Sequence, residues 1–195
     1  MSEMALIDGL ASGFADETLQ AQAAFRLILD AMARPGRIQR LTQPALAPQG
    51  LSPAAASVLA ALADGDTPVH VPATPALRGF VAGRLGAPLA GEGEAAFAVV
   101  AAAGLLPLTR FAAGSDAMPD QSATVIVEVS ALGSGPVLSL RGPGIREVEQ
   151  LAVEGLPEGF AAAWAAQRAL FPRGVDLVLC CGDRLAALPR STRIV

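Results

Sequence analysis

The chain has 195 residues, a net charge of −4 and 52% hydrophobic residues, enough for one domain with its own core and no disulfide framework. All 14 basic side chains are arginines. With no lysine, the chain has no Schiff-base amine, no Walker-A phosphate loop and no amine general base. The acidic balance gives no long-range attraction for nucleic acid or anionic lipid, and Gly, Pro, Arg or a carboxylate interrupts every apolar run before membrane-spanning length. No basic segment precedes an apolar stretch at the N-terminus, so the chain is expected in the cytoplasm, with residues 1–12 loosely ordered ahead of a single domain over 1–195.

In chain order, the first helix starts at Asp16 as N-cap and carries Phe25, Ile28, Leu29 and Met32 at the spacing of a buried stripe, ending at Pro35-Gly36. Ser52 and Pro53 open a second helix facing Val58, Leu59 and Leu62 inward, and Asp64-Gly65 stops it. Thr74-Pro75 repeats the start signal ahead of Leu77, Phe80, Val81 and Leu85. A fourth helix follows Pro157 with Phe160, Trp164 and Phe171 on one side.

Strands are expected at 68–72, 95–101, 124–130, 137–141, 175–181 and 184–188. The run from Ala95 to Val100 is apolar throughout and suits the centre of a sheet covered on both faces. Glu128 and Asp176 interrupt the strands 124–130 and 175–181, which suggests a less buried face or an edge. Gly133-Ser134-Gly135 and Gly182-Asp183 are short enough for hairpins, and 103–121 is the most loop-like stretch. The pattern reads as an α/β fold with a mixed β-sheet flanked by helices.

Residues suited to chemistry are few. Cys180 and Cys181 are adjacent on a strand and point to opposite faces, so they cannot share a metal, and no zinc-ligand spacing is present. His70 is either a general base or a histidine bonded to backbone or solvent. Glu128 and Asp176 are either an acid/base pair facing a pocket or members of ion pairs. The sequence Arg141-Gly142-Pro143-Gly144-Ile145-Arg146, directly after a strand, reads as a turn or as an anion cradle of glycine backbone and two guanidinium forks. Arg34-Pro35-Gly36-Arg37 is a second such turn that also stops a helix. No Gly-x-Ser-x-Gly elbow supports a hydrolase triad.

Five segments in order, Phe25 to Gly36, Ala61 to Pro68, Leu140 to Ile145, Phe171 to Leu177 and Leu188 to Thr192, resemble the H subunit family of the bacterial carbon–phosphorus lyase system. The family tail more often has threonine where Ser191 stands, and the hydroxyl is kept. The resemblance implies a three-layer fold like the large domain of pyridoxal-phosphate transferases, without a cofactor site. It further implies a homodimer that joins the G, I and J subunits in a core complex. That complex transfers an alkylphosphonate to ribose in place of a nucleotide base, giving a ribose phosphonate triphosphate. No catalytic residue is transferred by the resemblance, and the subunit alone is expected to support assembly rather than chemistry, with no metal or cofactor of its own.

Overall fold

The computed structural model describes residues 3–195, and its centre is a six-stranded mixed sheet. The strands are β1 (Gln39–Arg40), β2 (Val69–His70), β3 (Phe97–Ala101), β4 (Thr124–Glu128), β5 (Ala131–Arg141), β6 (Glu149–Glu154), β7 (Asp176–Cys181), β8 (Arg184–Leu188) and β9 (Arg193–Ile194). The large sheet runs β1-β8-β7-β4-β3-β2, with β2, β3, β4 and β7 parallel and β8 antiparallel to both neighbours. A second, antiparallel sheet runs β6-β5-β9.

The helices are α1 (Glu3–Ala11), α2 (Leu19–Ala33), α3 (Pro53–Leu62), α4 (Pro75–Arg78), which continues as a π-helical turn over Gly79–Arg84, and α5 (Phe160–Arg168). The starts of α2, α3 and α4 follow from side-chain bonds to backbone N–H groups. The Asp16 carboxylate accepts the N–H groups of Thr18 and Leu19, Ser52 Oγ accepts from Ala55, and Thr74 Oγ1 accepts from Leu77. Proline occupies the first position of α3 and of α4, where no N–H is needed.

Two cores hold the layers together. On one face, Ile28 of α2, Val58 and Leu59 of α3, and Leu77 and Phe80 pack against Val99, Ile126, Val178 and Leu185. On the other face, Leu132, Leu140, Leu151 and Val153 of the small sheet join Phe160 and Trp164 of α5 against Val125, Val127, Leu177 and Leu179. The result is three layers, with helices on one side and the small sheet plus α5 on the other.

Several expectations need correction. Residues 3–11 form helix α1, which lies so close to the α4 segment that a Cβ on Gly9 would meet the Ala76 carbonyl; residues 1 and 2 lie outside the described residues. The strands β4 and β7, read as half-exposed, are the two innermost, because their carboxylates sit at strand ends and interrupt no buried face. Gly133 and Gly135 mark no hairpin: they lie inside β5, where the register with β6 shifts between Leu132 and Val137. The Gly182-Asp183 hairpin is as expected, joining β7 to β8. The stripe on α2 is rotated, since Ala24, Ile28 and Ala31 are buried while Phe25 and Leu29 are 46% and 56% exposed. Phe171 lies beyond α5 and is exposed.

Candidate functional site

The residues singled out for chemistry separate to opposite edges of the large sheet. Parallel strands in such sheets usually present their carboxyl ends to a ligand, and that edge carries His70 at the end of β2 and Glu128 at the end of β4. Asp176 opens β7 at the amino edge. The register aligns Thr124 with Asp176 and Glu128 with Cys180, so the two carboxylates lie four residues apart along the strands, about 13 Å. They form no acid/base pair.

Each of these groups has a local partner. Glu128 accepts the Ser52 N–H at 2.7 Å, tying the end of β4 to the start of α3, and burial raises its carboxyl above the usual range against the opposing pull of Ser52. Asp176 is held by Arg190, through the backbone N–H at 2.7 Å and the guanidinium at 2.8 Å, while Arg190 also donates to the Pro119 carbonyl at 2.6 Å. His70 Nδ1 lies 3.2 Å from the Ala90 carbonyl, which only accepts, so this nitrogen carries the proton. Its Nε2 lies 3.6 Å from Glu92, whose other oxygen is 3.5 Å from Arg110 Nε.

Cys180 is fully buried, and burial together with the Glu128 charge pushes its thiol far up, which keeps it protonated. Cys181 points to the other face and donates to the Ser130 carbonyl at 3.4 Å. Among the described residues, no group of three or more His, Cys, Asp or Glu side chains is placed to hold a metal.

The glycines of the Arg141–Arg146 turn have structural work. A Cβ on Gly144, at φ +81°, would fall well inside contact distance of the Ala33 carbonyl oxygen and 3.1 Å from Pro35 Cδ. A Cβ on Gly142 would lie 3.0 Å from the Ser191 carbonyl oxygen. These two glycines let the turn press between the end of α2 and the C-terminal tail, so close packing accounts for them without an anion. The two arginines of the turn, Arg141 and Arg146, are exposed.

Four of the five sequence segments that carried the family resemblance meet here. The Arg34-Pro35-Gly36 turn touches Leu140 and Gly144, Gly142 touches Ser191 and Thr192, and Arg190 binds Asp176. Trp164 Nε1 donates to the Thr192 carbonyl at 2.9 Å and Arg168 to the Ser191 carbonyl at 3.3 Å, which fixes the tail. Beside it lies a cleft of about 420 Å³ lined by Asp120, Phe171, Pro172, Asp176, Arg190 and Ser191. Sequence reasoning missed Arg193, which the pairing of β9 with β5 sets directly opposite Arg141. No local signal in a two-residue strand announces such a partner, because it comes from about fifty residues away in the chain.

A model of the family described as bacterial phosphonate metabolism protein (PhnH) matches residues 12–195. The chain is 42% identical over 188 residues, 93% of each protein, to the alpha-D-ribose 1-methylphosphonate 5-triphosphate synthase subunit PhnH of Rhizobium meliloti strain 1021. It is 37% identical over 177 residues to a C-P lyase subunit protein, HtxG, of Stutzerimonas stutzeri, covering 89% of this chain and 85% of the relative. With the family match spanning nearly its whole length, the chain belongs to the PhnH family of bacterial phosphonate metabolism proteins.

Proposed function

We propose that this chain is a subunit of the carbon–phosphorus lyase core complex in phosphonate catabolism, where it supports transfer of an alkylphosphonate to the ribose C1 of a nucleoside triphosphate. The observation that carries this reading is end-to-end similarity to a named subunit of a ribose 1-methylphosphonate 5-triphosphate synthase. The role is assembly rather than chemistry. A chain without lysine forms no internal aldimine, so a fold like the large domain of pyridoxal-phosphate transferases would serve here as a scaffold, with no cofactor of its own.

The surface fits an interacting subunit. On the outer face of α2, Phe25 and Leu29 are one turn apart and exposed, while Ile38 just beyond the helix is 37% exposed. We assign this face to subunit contact, within a homodimer that joins the G, I and J subunits in the cytoplasm. No helix among the described residues is long and apolar enough to cross a membrane.

Co-expression of a tagged G, I and J set with this chain tests the reading. Co-purification in a fixed ratio is the expected result, with sedimentation of the isolated chain at twice its 19.7 kDa mass. Assembly of the other subunits into a complete, active complex without it would refute the proposal.

A further inference from the structure

We propose that Arg141 and Arg193 form a binding site for the terminal phosphate or phosphonate group of a small molecule. The proposal deepens the subunit reading and rests on it only for the class of ligand.

The two arginines are directly opposite in the antiparallel β5–β9 pair, so their side chains leave the same face of the small sheet. Their neighbours Leu140 and Ile194 are also paired, and Leu140 is fully buried, so alternation turns both arginines outward. Like charges facing each other across a ladder are unfavourable unless an anion lies between them. Neither Arg141 nor Arg193 has a carboxylate oxygen within 4.0 Å among the described residues, a state they share with Arg26, Arg37, Arg78, Arg168 and Arg184; what sets this pair apart is that its two members face each other across a ladder.

The chain does not lack carboxylates to neutralise this pair: it has 18. The nearest in the ladder, Glu149, is opposite Leu140 and packs toward Gly36, on the other face of the sheet. The cationic pair is also held in place. Gly142 and Gly144 seat the turn against the tail and the end of α2, and Trp164 and Arg168 bind the carbonyls of Thr192 and Ser191. A rigid base spares a ligand the cost of ordering the loop. Two guanidinium forks side by side match the oxygens of a tetrahedral dianion bidentately. Because the protein as a whole is acidic, the attraction is local to this face.

The test is calorimetric titration of the full chain with tripolyphosphate and with methylphosphonate at low salt, on the wild type and on Arg141→Gln, Arg193→Gln and Arg26→Gln. Saturable binding that weakens at least tenfold in Arg141→Gln and in Arg193→Gln, but stays unchanged in Arg26→Gln, supports the site. A thermal midpoint in ligand-free Arg193→Gln that is equal to or above that of the wild type supports it independently, since the substitution removes the opposed charge. No heat at 10 mM of either probe, or binding indifferent to both substitutions, overturns it. So does loss of co-purification with the G, I and J subunits in these variants while tripolyphosphate binding persists, because the arginines would then be a protein contact. A wild type that co-purifies yet binds neither probe sinks the anion site and leaves the subunit reading standing.

Discussion

Replacing Gly144 by alanine tests whether the turn after β5 is pressed against the end of α2. The residue has φ +81°, and holding an L-residue there costs about 1–2 kcal/mol. Its new Cβ must also displace the Ala33 carbonyl and Pro35, and forcing a methyl group into a packed site costs about 1–3 kcal/mol more. Gly159 is the control, with φ +80° and no heavy atom within 4 Å of its Cβ position. Both substitutions remove the same freedom from the unfolded chain, so that contribution cancels in the comparison. For a domain of this size 1 kcal/mol moves the midpoint by about 2–4 °C, so thermal unfolding should fall by about 10 °C in Gly144→Ala and about 4 °C in Gly159→Ala. Equal losses would show that the turn does not bear on α2, and the packing argument for the assembled segments would fail.

Further substitutions probe the other contacts. Burial raises the Glu128 carboxyl, so the folded state binds its proton more tightly than the unfolded state; this stability is present below the unfolded pKa and lost as pH rises through the folded value. Glu128→Gln keeps an acceptor for the Ser52 N–H and removes the charge, so denaturant unfolding should show the variant gaining on the wild type as pH rises above the ordinary carboxylate range; a constant difference would contradict the burial argument. Asp176→Ala strands Arg190 and should cost about 3 kcal/mol with loss of hydrogen-exchange protection in the tail, whereas Asp183→Ala, at the exposed Arg40 pair, should leave the midpoint unchanged. Phe25→Asp combined with Leu29→Asp should unfold within about 1 kcal/mol of the wild type, yet lose co-purification with the other subunits; retained co-purification would remove α2 from the contact surface.

Local chemistry was the part of the fold that could be read in advance. Ser52-Pro53 and Thr74-Pro75 announce helix starts because an N-cap hydroxyl and a proline act within one turn, and both hydroxyls make the expected bonds. The error on α2 has a physical cause. Periodicity reports an apolar face but not what it meets, and here small residues, Ala24 and Ala31, allow α2 to sit close to the sheet while Phe25 and Leu29 face outward. The strands β1, β6 and β9 were missed because two of them are two residues long and Glu149–Glu154 is charged at both ends, so each is defined by its partner. At the site, residue types singled out Arg141 and Arg146 but left their glycines open between a turn and an anion cradle. The contacts of Gly142 with the tail and of Gly144 with α2, and the pairing of Arg141 with Arg193, join residues far apart in sequence.

The most direct test of the account is turnover of methylphosphonate and nucleoside triphosphate, followed by phosphorus NMR, in three preparations: this chain alone, the other core subunits alone, and all of them together. The account expects ribose phosphonate triphosphate to form at full rate only in the complete mixture, with the isolated chain inert. Product from the isolated chain, or an undiminished rate without it, would contradict an assembly role.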